Sequence, residues 1–156
     1  MDFIVKNAEK TDIEQIGRLW IEFFDFHRQF DDHFSRSSDG HTNFMKFIES
    51  SIEDNNSLVL VAAINEQVVG YCLAKIDSFP PVIDDRDYGA IYDLAVTEKM
   101  RRKGCGEKLV EAARSWFKSK GMKIMQANVS VENPVSTAFW KKMGLRPVTV
   151  RCIVNI

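Results

Sequence analysis

Between Ile91 and Gly121 the chain passes from an apolar strand pattern, Ile91-Tyr92-Asp93-Leu94-Ala95-Val96-Thr97, through a basic turn, Arg101-Arg102-Lys103-Gly104-Cys105-Gly106, into a long amphipathic segment. Few folds accept that order. A strand that feeds a helix through a glycine turn belongs to a layered domain, because the helix must return its apolar side to a sheet. The helix predicted from Gly104 to Lys120 has such a side in Leu109, Val110, Ala113, Trp116 and Phe117, and Gly121 is its stop signal. Gly104 and Gly106 let backbone N–H groups approach a ligand, while the first helical turn offers donors to phosphate oxygens. Arg101, Arg102 and Lys103 add long-range attraction for an anion. An ordinary basic strand-to-helix turn accounts for the same spacing.

The flanking sequence supplies the rest of the layers. Residues 3–7 predict a first strand. Thr11, with Glu14 three residues later, suits the N-cap of a helix whose stripe is Ile13, Ile16, Leu19, Trp20, Phe23 and Phe24. A second helix is expected over Thr42 to Glu53, using Phe44, Phe47, Ile48 and Ile52. Residues 58–64 and 67–76 read as strands joined in a hairpin by Asn65-Glu66. Phe79-Pro80-Pro81 and the acidic run Asp84, Asp85 and Asp87 mark a loop before a strand at 89–97. Further strands are expected at 123–130 and 145–154, around a helix opened by Asn133 as cap and Pro134 at its first position and closed by Gly144. The sum is an α/β domain of the α+β kind, a mixed sheet flanked by helices, expected as one domain over residues 1–156.

Composition excludes several functions. With 45% hydrophobic and 28% charged residues, the 156-residue chain is a folded one rather than a disordered one. Cys72, Cys105 and Cys152 are too few and too scattered for a disulfide scaffold, which favours a reducing cytoplasm. No run of 18 apolar residues occurs, and charges interrupt the N-terminal segment, so neither a signal peptide nor a membrane partner is expected. The histidines at 27, 33 and 41 lack metal-ligand spacing, and no metal is expected. The net charge of -1 conceals an asymmetry: residues 1–90 hold 8 Lys/Arg against 17 Asp/Glu, and residues 91–156 hold 13 against 5. Nothing resembles a helix-turn-helix or an extended basic surface, so nucleic acid is not an expected partner. The basic second part fits an anionic ligand instead. A dinucleotide fingerprint would need a third glycine and an earlier place in the chain, and a nucleoside-triphosphate loop would need G-x-x-x-x-G-K-[ST]. Both are absent.

These residues resemble the GCN5-related N-acetyltransferase superfamily, whose signature [Arg/Gln]-x-x-Gly-x-[Gly/Ala] is matched by Arg101-Arg102-Lys103-Gly104-Cys105-Gly106. The strand before it, the helix after it and the segment Asn133-Pro134-Val135-Ser136-Thr137-Ala138-Phe139-Trp140-Lys141-Lys142-Met143-Gly144-Leu145 stand in the family's order. The resemblance covers nearly the whole chain and is strongest over residues 89–146. It implies an acyl-CoA N-acyltransferase fold whose central strands part in a V. It also implies that a bulged strand binds the pantetheine arm of acetyl-CoA through the backbone near Leu94, Ala95 and Val96. The turn from Arg101 to Gly106 would cradle the pyrophosphate. Asn133 would touch the cofactor arm, with Ser136 a second contact, although Asn133 is equally a helix cap.

The chemistry so implied is direct transfer of an acetyl group to a primary amine of a small molecule or an exposed protein amine. It needs a neutral amine, a polarised thioester carbonyl and a proton for the departing thiolate. The Val96 N–H is placed by the resemblance to face the developing oxyanion. Asp93, on the central strand, is the candidate for amine positioning or water-mediated base work, with Tyr92 its neighbour. Adjacent strand residues face opposite ways unless a bulge intervenes. Many relatives carry a tyrosine where this chain has Trp140, whose indole packs against the cofactor or donates one N–H but cannot act as the acid. Cys105 inside the turn reads as a tolerated small residue rather than a transfer nucleophile. The stretch 26–34 either lines an amine-attracting mouth through Asp31 or Asp32, or forms an amphipathic surface burying Phe26, Phe30 and Phe34. An acyl-CoA-binding regulator or structural protein of the same fold, without turnover, is the alternative function. A homodimer paired through the expected terminal strand completes the expectations.

Overall fold

The computed structural model describes residues 2–31, 33 and 35–156. Two strands, β2 (Ser57–Ile64) and β3 (Gln67–Ser78), are apolar on both faces and therefore require cover on both sides. Val59, Val61, Tyr71 and Leu73 enter one core, and Leu60, Ala62, Cys72 and Ala74 enter the other. The two strands form the expected hairpin, with Asn65 (φ 47°) and Glu66 (φ 67°) both left-handed, as a two-residue turn that matches strand twist demands. β1 (Ile4–Asn7) pairs antiparallel with β2, and β4 (Asp87–Val96) pairs antiparallel with β3. β5 (Met125–Ala127) runs parallel to β4, so the sheet is mixed, in the order β1-β2-β3-β4-β5.

Helices α1 (Ile13–His27) and α2 (Gly40–Glu53) fill the first core with Ile16, Leu19, Trp20, Phe44 and Ile48. The Trp20 and Phe44 rings stack 4.9 Å apart where the two helices meet the sheet. Helix α3 (Cys105–Ser119) fills the second core with Leu109, Val110, Ala113 and Phe117, joined by Trp140 of α4 (Pro134–Lys142). Each such side chain contributes about 1.5–3 kcal/mol by leaving water. Gly89 is small where α3 crosses β4: a Cβ there would stand 2.6 Å from the Phe117 ring.

Four local expectations are corrected. Thr11 is not the N-cap of α1, because a 3-10 turn at Lys10–Asp12 precedes the helix and the Asp12 carboxylate accepts the Glu9 N–H at 2.9 Å. Glu9 is the N-cap of that turn, so the helical rise starts before Thr11. Phe47 stays 40% exposed at the edge of α2 rather than buried. The strand expected at 123–130 shortens to Met125–Ala127, since β5 pairs with β4 only at Gly89, Ala90 and Ile91. Residues 145–154 form no strand: Val148, Val150 and Val154 are 75%, 67% and 82% exposed, and β propensity without a ladder partner does not hold a strand. No helix is long and apolar enough to cross a membrane among the described residues.

Candidate functional site

The parting of β4 from β5 follows from the register. After Ile91, which opposes Ala127, β4 continues to Val96 without a strand partner on its β5 side among the described residues. On its other side it stays paired with β3, and the Thr97 N–H donates to the Val69 carbonyl at 2.9 Å. Hydrogen-bonded pairs alternate along an antiparallel ladder, so Asp93 and Ala95 turn their backbone groups toward β3. Leu94 and Val96 turn theirs toward the opening. The Val96 carbonyl is taken by Arg101 Nε at 3.1 Å, which leaves the Val96 N–H and the Leu94 groups facing the V. Of the three strand residues singled out by sequence, the open edge thus belongs to Leu94 and Val96.

The β3–β4 ladder slips by one residue between Leu73 and Ala74: Leu73 opposes Asp93 and Ala74 opposes Ile91, which makes Tyr92 the extra residue of a β-bulge. The bulge reverses the alternation of faces. Ile91 packs into the α3 core, whereas Asp93 meets Tyr71 of the α1/α2 core. Tyr92 turns to the same side, where its hydroxyl donates to Asp77 Oδ2 at 2.6 Å. Both candidates for amine chemistry therefore share one face.

Asp93 is the chemically prepared member of that pair. Burial pushes its carboxyl up to about 6, and the Tyr71 hydroxyl, donating to Oδ2 at a long 3.4 Å, pulls the other way. A carboxylate titrating there is a competent base near neutral pH. Tyr71 is fully buried, and desolvation followed by the Asp93 charge raises its own hydroxyl well above the usual tyrosine range, so it remains a neutral donor. Tyr92 is raised to about 12, chiefly by its hydrogen bond to Asp77 with burial second, and is neutral as well. Tyr71 was missed by sequence reasoning because it stands inside a continuous apolar run, where an aromatic residue signals only core.

The turn between β4 and α3 has the geometry of an anion cradle. A 3-10 turn at Glu98–Met100 leads to Arg102 at φ 60° and Gly104 at φ 82°, both left-handed, and α3 begins at Cys105. Gly104 is the N-cap and, having no side chain, supplies no cap to the first-turn N–H groups. Arg102 and Lys103 are exposed beside them. Arg101 is bound differently: besides the Val96 carbonyl, its Nη2 lies 3.7 Å from Glu22 and its guanidinium covers the Phe26 ring at 4.9 Å. Glu22, a further residue without a sequence signal, also accepts the Glu98 N–H at 3.1 Å, which fastens α1 to the turn. The Cys105 thiol is buried toward α3 and β3, and burial raises it to about 11, which removes it from nucleophilic work. Gly106 lets Phe139 of α4 approach; a Cβ would meet that ring at 3.3 Å.

Asn133 caps α4 as the sequence predicts, its Oδ1 accepting the Ser136 N–H at 3.1 Å, and it is 3% exposed. That bond engages the oxygen as the helix cap. Ser136 is thereby engaged through its backbone. Trp140 is 7% exposed within the α3 core, with its ring 5.1 Å from Phe139, so its role in the fold is packing. In the acidic aromatic stretch, Phe26 and Phe30 are half-buried and meet edge-to-face at 5.5 Å, and Asp31 holds the ring and N–H of His33, each at 2.9 Å. Asp32 and Phe34 lie outside the described residues.

Comparison with known proteins gives a consistent result. The model of the Acetyltransferase (GNAT) family matches residues 14–145. An uncharacterized N-acetyltransferase of Methanocaldococcus jannaschii is 24% identical over 142 residues, 91% of this chain and 60% of that protein. The chain thus spans less than two thirds of that relative's length. A crystal structure of a Bacillus halodurans protein superposes with a TM-score of 0.85 at 21% identity, covering 98% of this chain and 99% of the other. An aminoglycoside N-acetyltransferase in complex with CoA superposes with a TM-score of 0.79 at 17% identity, over 99% and 95% of the two chains.

Proposed function

The chain belongs to the acetyltransferase (GNAT) family, and on that premise we propose that it transfers an acetyl group directly from acetyl-CoA to a primary amine. The family model and the shared fold support that reading. The observation that carries the specific reading is the joining, at one strand, of an open backbone edge and a base: the backbone groups of Leu94 and Val96 face the V, and the Asp93 side chain stands on the α1/α2 face of the same strand next to the bulge. Acyl-CoA fits the first part. The uncapped start of α3, with Gly104 at positive φ and Arg102 and Lys103 beside it, suits the pyrophosphate, and the open edge of β4 suits the amide groups of the pantetheine arm. Asn133 offers its carboxamide nitrogen to the same arm.

In the transfer, the Asp93 carboxylate takes a proton from the acceptor ammonium, directly or through one water. The neutral nitrogen attacks the thioester carbonyl carbon while the Val96 N–H donates to the developing oxyanion. The carbon–sulfur bond then breaks as the attached nitrogen gives its second proton to solvent, and the departing thiolate is protonated by solvent, because buried Trp140 offers no acid. The acceptor is a small-molecule or exposed protein amine; the solved neighbour that acts on aminoglycosides supports the small-molecule class. The three free thiols suit a reducing cytoplasm. A homodimer is proposed through the exposed apolar residues of the segment 145–156, and light scattering showing only monomer across concentration would refute it. The transfer is tested by thiol release from acetyl-CoA: release that depends on an added amine is expected, and binding of acetyl-CoA without release would favour a regulator.

A further inference from the structure

Lys75 leaves β3 on the α2 side, and its ammonium lies 4.5 Å from the centre of the Phe47 ring and 5.7 Å from that of Tyr92. Both rings are partly open to solvent, at 40% and 46%. Tyr92 is held by its bond to Asp77 and is the immediate neighbour of Asp93. Among the described residues Lys75 forms no ion pair, and the charge is held by ring faces, with Asp54 feeling it from a distance. Ring faces attract any ammonium, so a second cation can replace this one without leaving a charge unpaired.

We propose that Phe47 and Tyr92 form a subsite for a second ammonium group of the acceptor, and that Lys75 fills this subsite in the free protein. The proposal rests on the transfer reading above and gives its acceptor a class: an aliphatic diamine or longer polyamine. One nitrogen reaches Asp93 and the other displaces Lys75 into solvent. The spacing follows from the sheet, since Lys75 stands two residues along β3 from Leu73, the partner of Asp93. The two strand positions are therefore ~7 Å apart, and an acceptor of comparable nitrogen spacing matches them. The charge of the surroundings agrees, because residues 1–90, which supply α1, α2 and the strands from β1 to β3, hold 17 Asp/Glu against 8 Lys/Arg. An acceptor bearing a carboxylate would instead meet Asp77 and Asp93 beside the same rings.

Calorimetric titration with 1,5-diaminopentane and with pentylamine reads the subsite without turnover. Lys75→Met, and likewise Lys75→Gln, should tighten diamine binding about fivefold more than pentylamine binding, the size of a partly exposed cation–π contact. Adding Phe47→Leu to Lys75→Met should abolish that difference. Equal responses of the two amines, or no gain for the diamine, would overturn the subsite. A diamine gain that survives while no amine is acetylated would uphold the subsite and strike the transfer reading alone.

Discussion

Asp93→Asn is expected to lower kcat for amine acetylation about 100-fold or more while acetyl-CoA affinity stays within about twofold, the division expected of a base that does not touch the phosphate turn. Asparagine keeps the volume and can still accept from Tyr71, but it cannot take a proton. In the unsubstituted protein, kcat/KM should rise with pH through about 6, where the buried Asp93 carboxyl ionises. Tyr71→Phe removes the hydroxyl that favours the carboxylate, so the same rise should move to higher pH. Near-normal transfer by Asp93→Asn across the pH range would remove Asp93 from the chemistry.

The same carboxyl has a thermodynamic consequence. Its folded value of about 6 stands above the ordinary 3.8, so the protonated form favours folding. That contribution is complete below the unfolded value and is lost as pH rises through the folded one. Between these limits stability should fall by about 2–3 kcal/mol. Asp93→Asn, which cannot ionise, should therefore melt at least as high as the natural sequence at pH 8, although it has lost activity. A base kept in a desolvated place costs stability where it is most useful.

Gly104→Val should weaken acetyl-CoA binding about tenfold or more, and should also cost ~1–2 kcal/mol of stability, because an L-residue is strained at positive φ. Apart from its neighbours in the chain, no atom of the described residues lies within 4 Å of the site a Cβ would take, so the first carbon of a side chain is not crowded there. The stability loss is then backbone strain at φ 82°, and the affinity loss reports the approach of a ligand. Gly104→Asn separates the two effects. Asparagine tolerates the left-handed region, so its melting point should recover most of the loss while its affinity should not. Unchanged acetyl-CoA affinity in folded Gly104→Val, followed by calorimetry, would contradict the phosphate-turn assignment.

These expectations divide along the line between local and long-range information. The left-handed turn at Gly104, the cap at Asn133 and the Asn65-Glu66 hairpin are written in neighbouring residues, whose dihedral needs and capping groups are local, and each of these backbone features is present as read. The bulge at Tyr92 is a relation between strands. It is one extra residue against Leu73 and Ala74; the family resemblance implied a bulged strand, but nothing in Ile91-Tyr92-Asp93 marks the place of the bulge. Yet it decides that Tyr92 and Asp93 share a face. Tyr71 was hidden for the same reason, as its role comes from a carboxylate 22 positions away. The C-terminal residues show the converse. Val148-Thr149-Val150 has strand propensity, but a strand requires a neighbour, and none is offered there.

Direct passage of the acetyl group across β4 is tested most closely by rapid-quench mass spectrometry of one turnover, with the protein, the amine and acetyl-CoA followed together. The buried, raised thiol of Cys105 and the absence of any nucleophile from the proposed steps predict acetylated amine and free CoA in equal amounts. The protein chain itself should stay unmodified at every time point. An acetylated chain that forms before the product and passes its acetyl group to the amine would contradict the account.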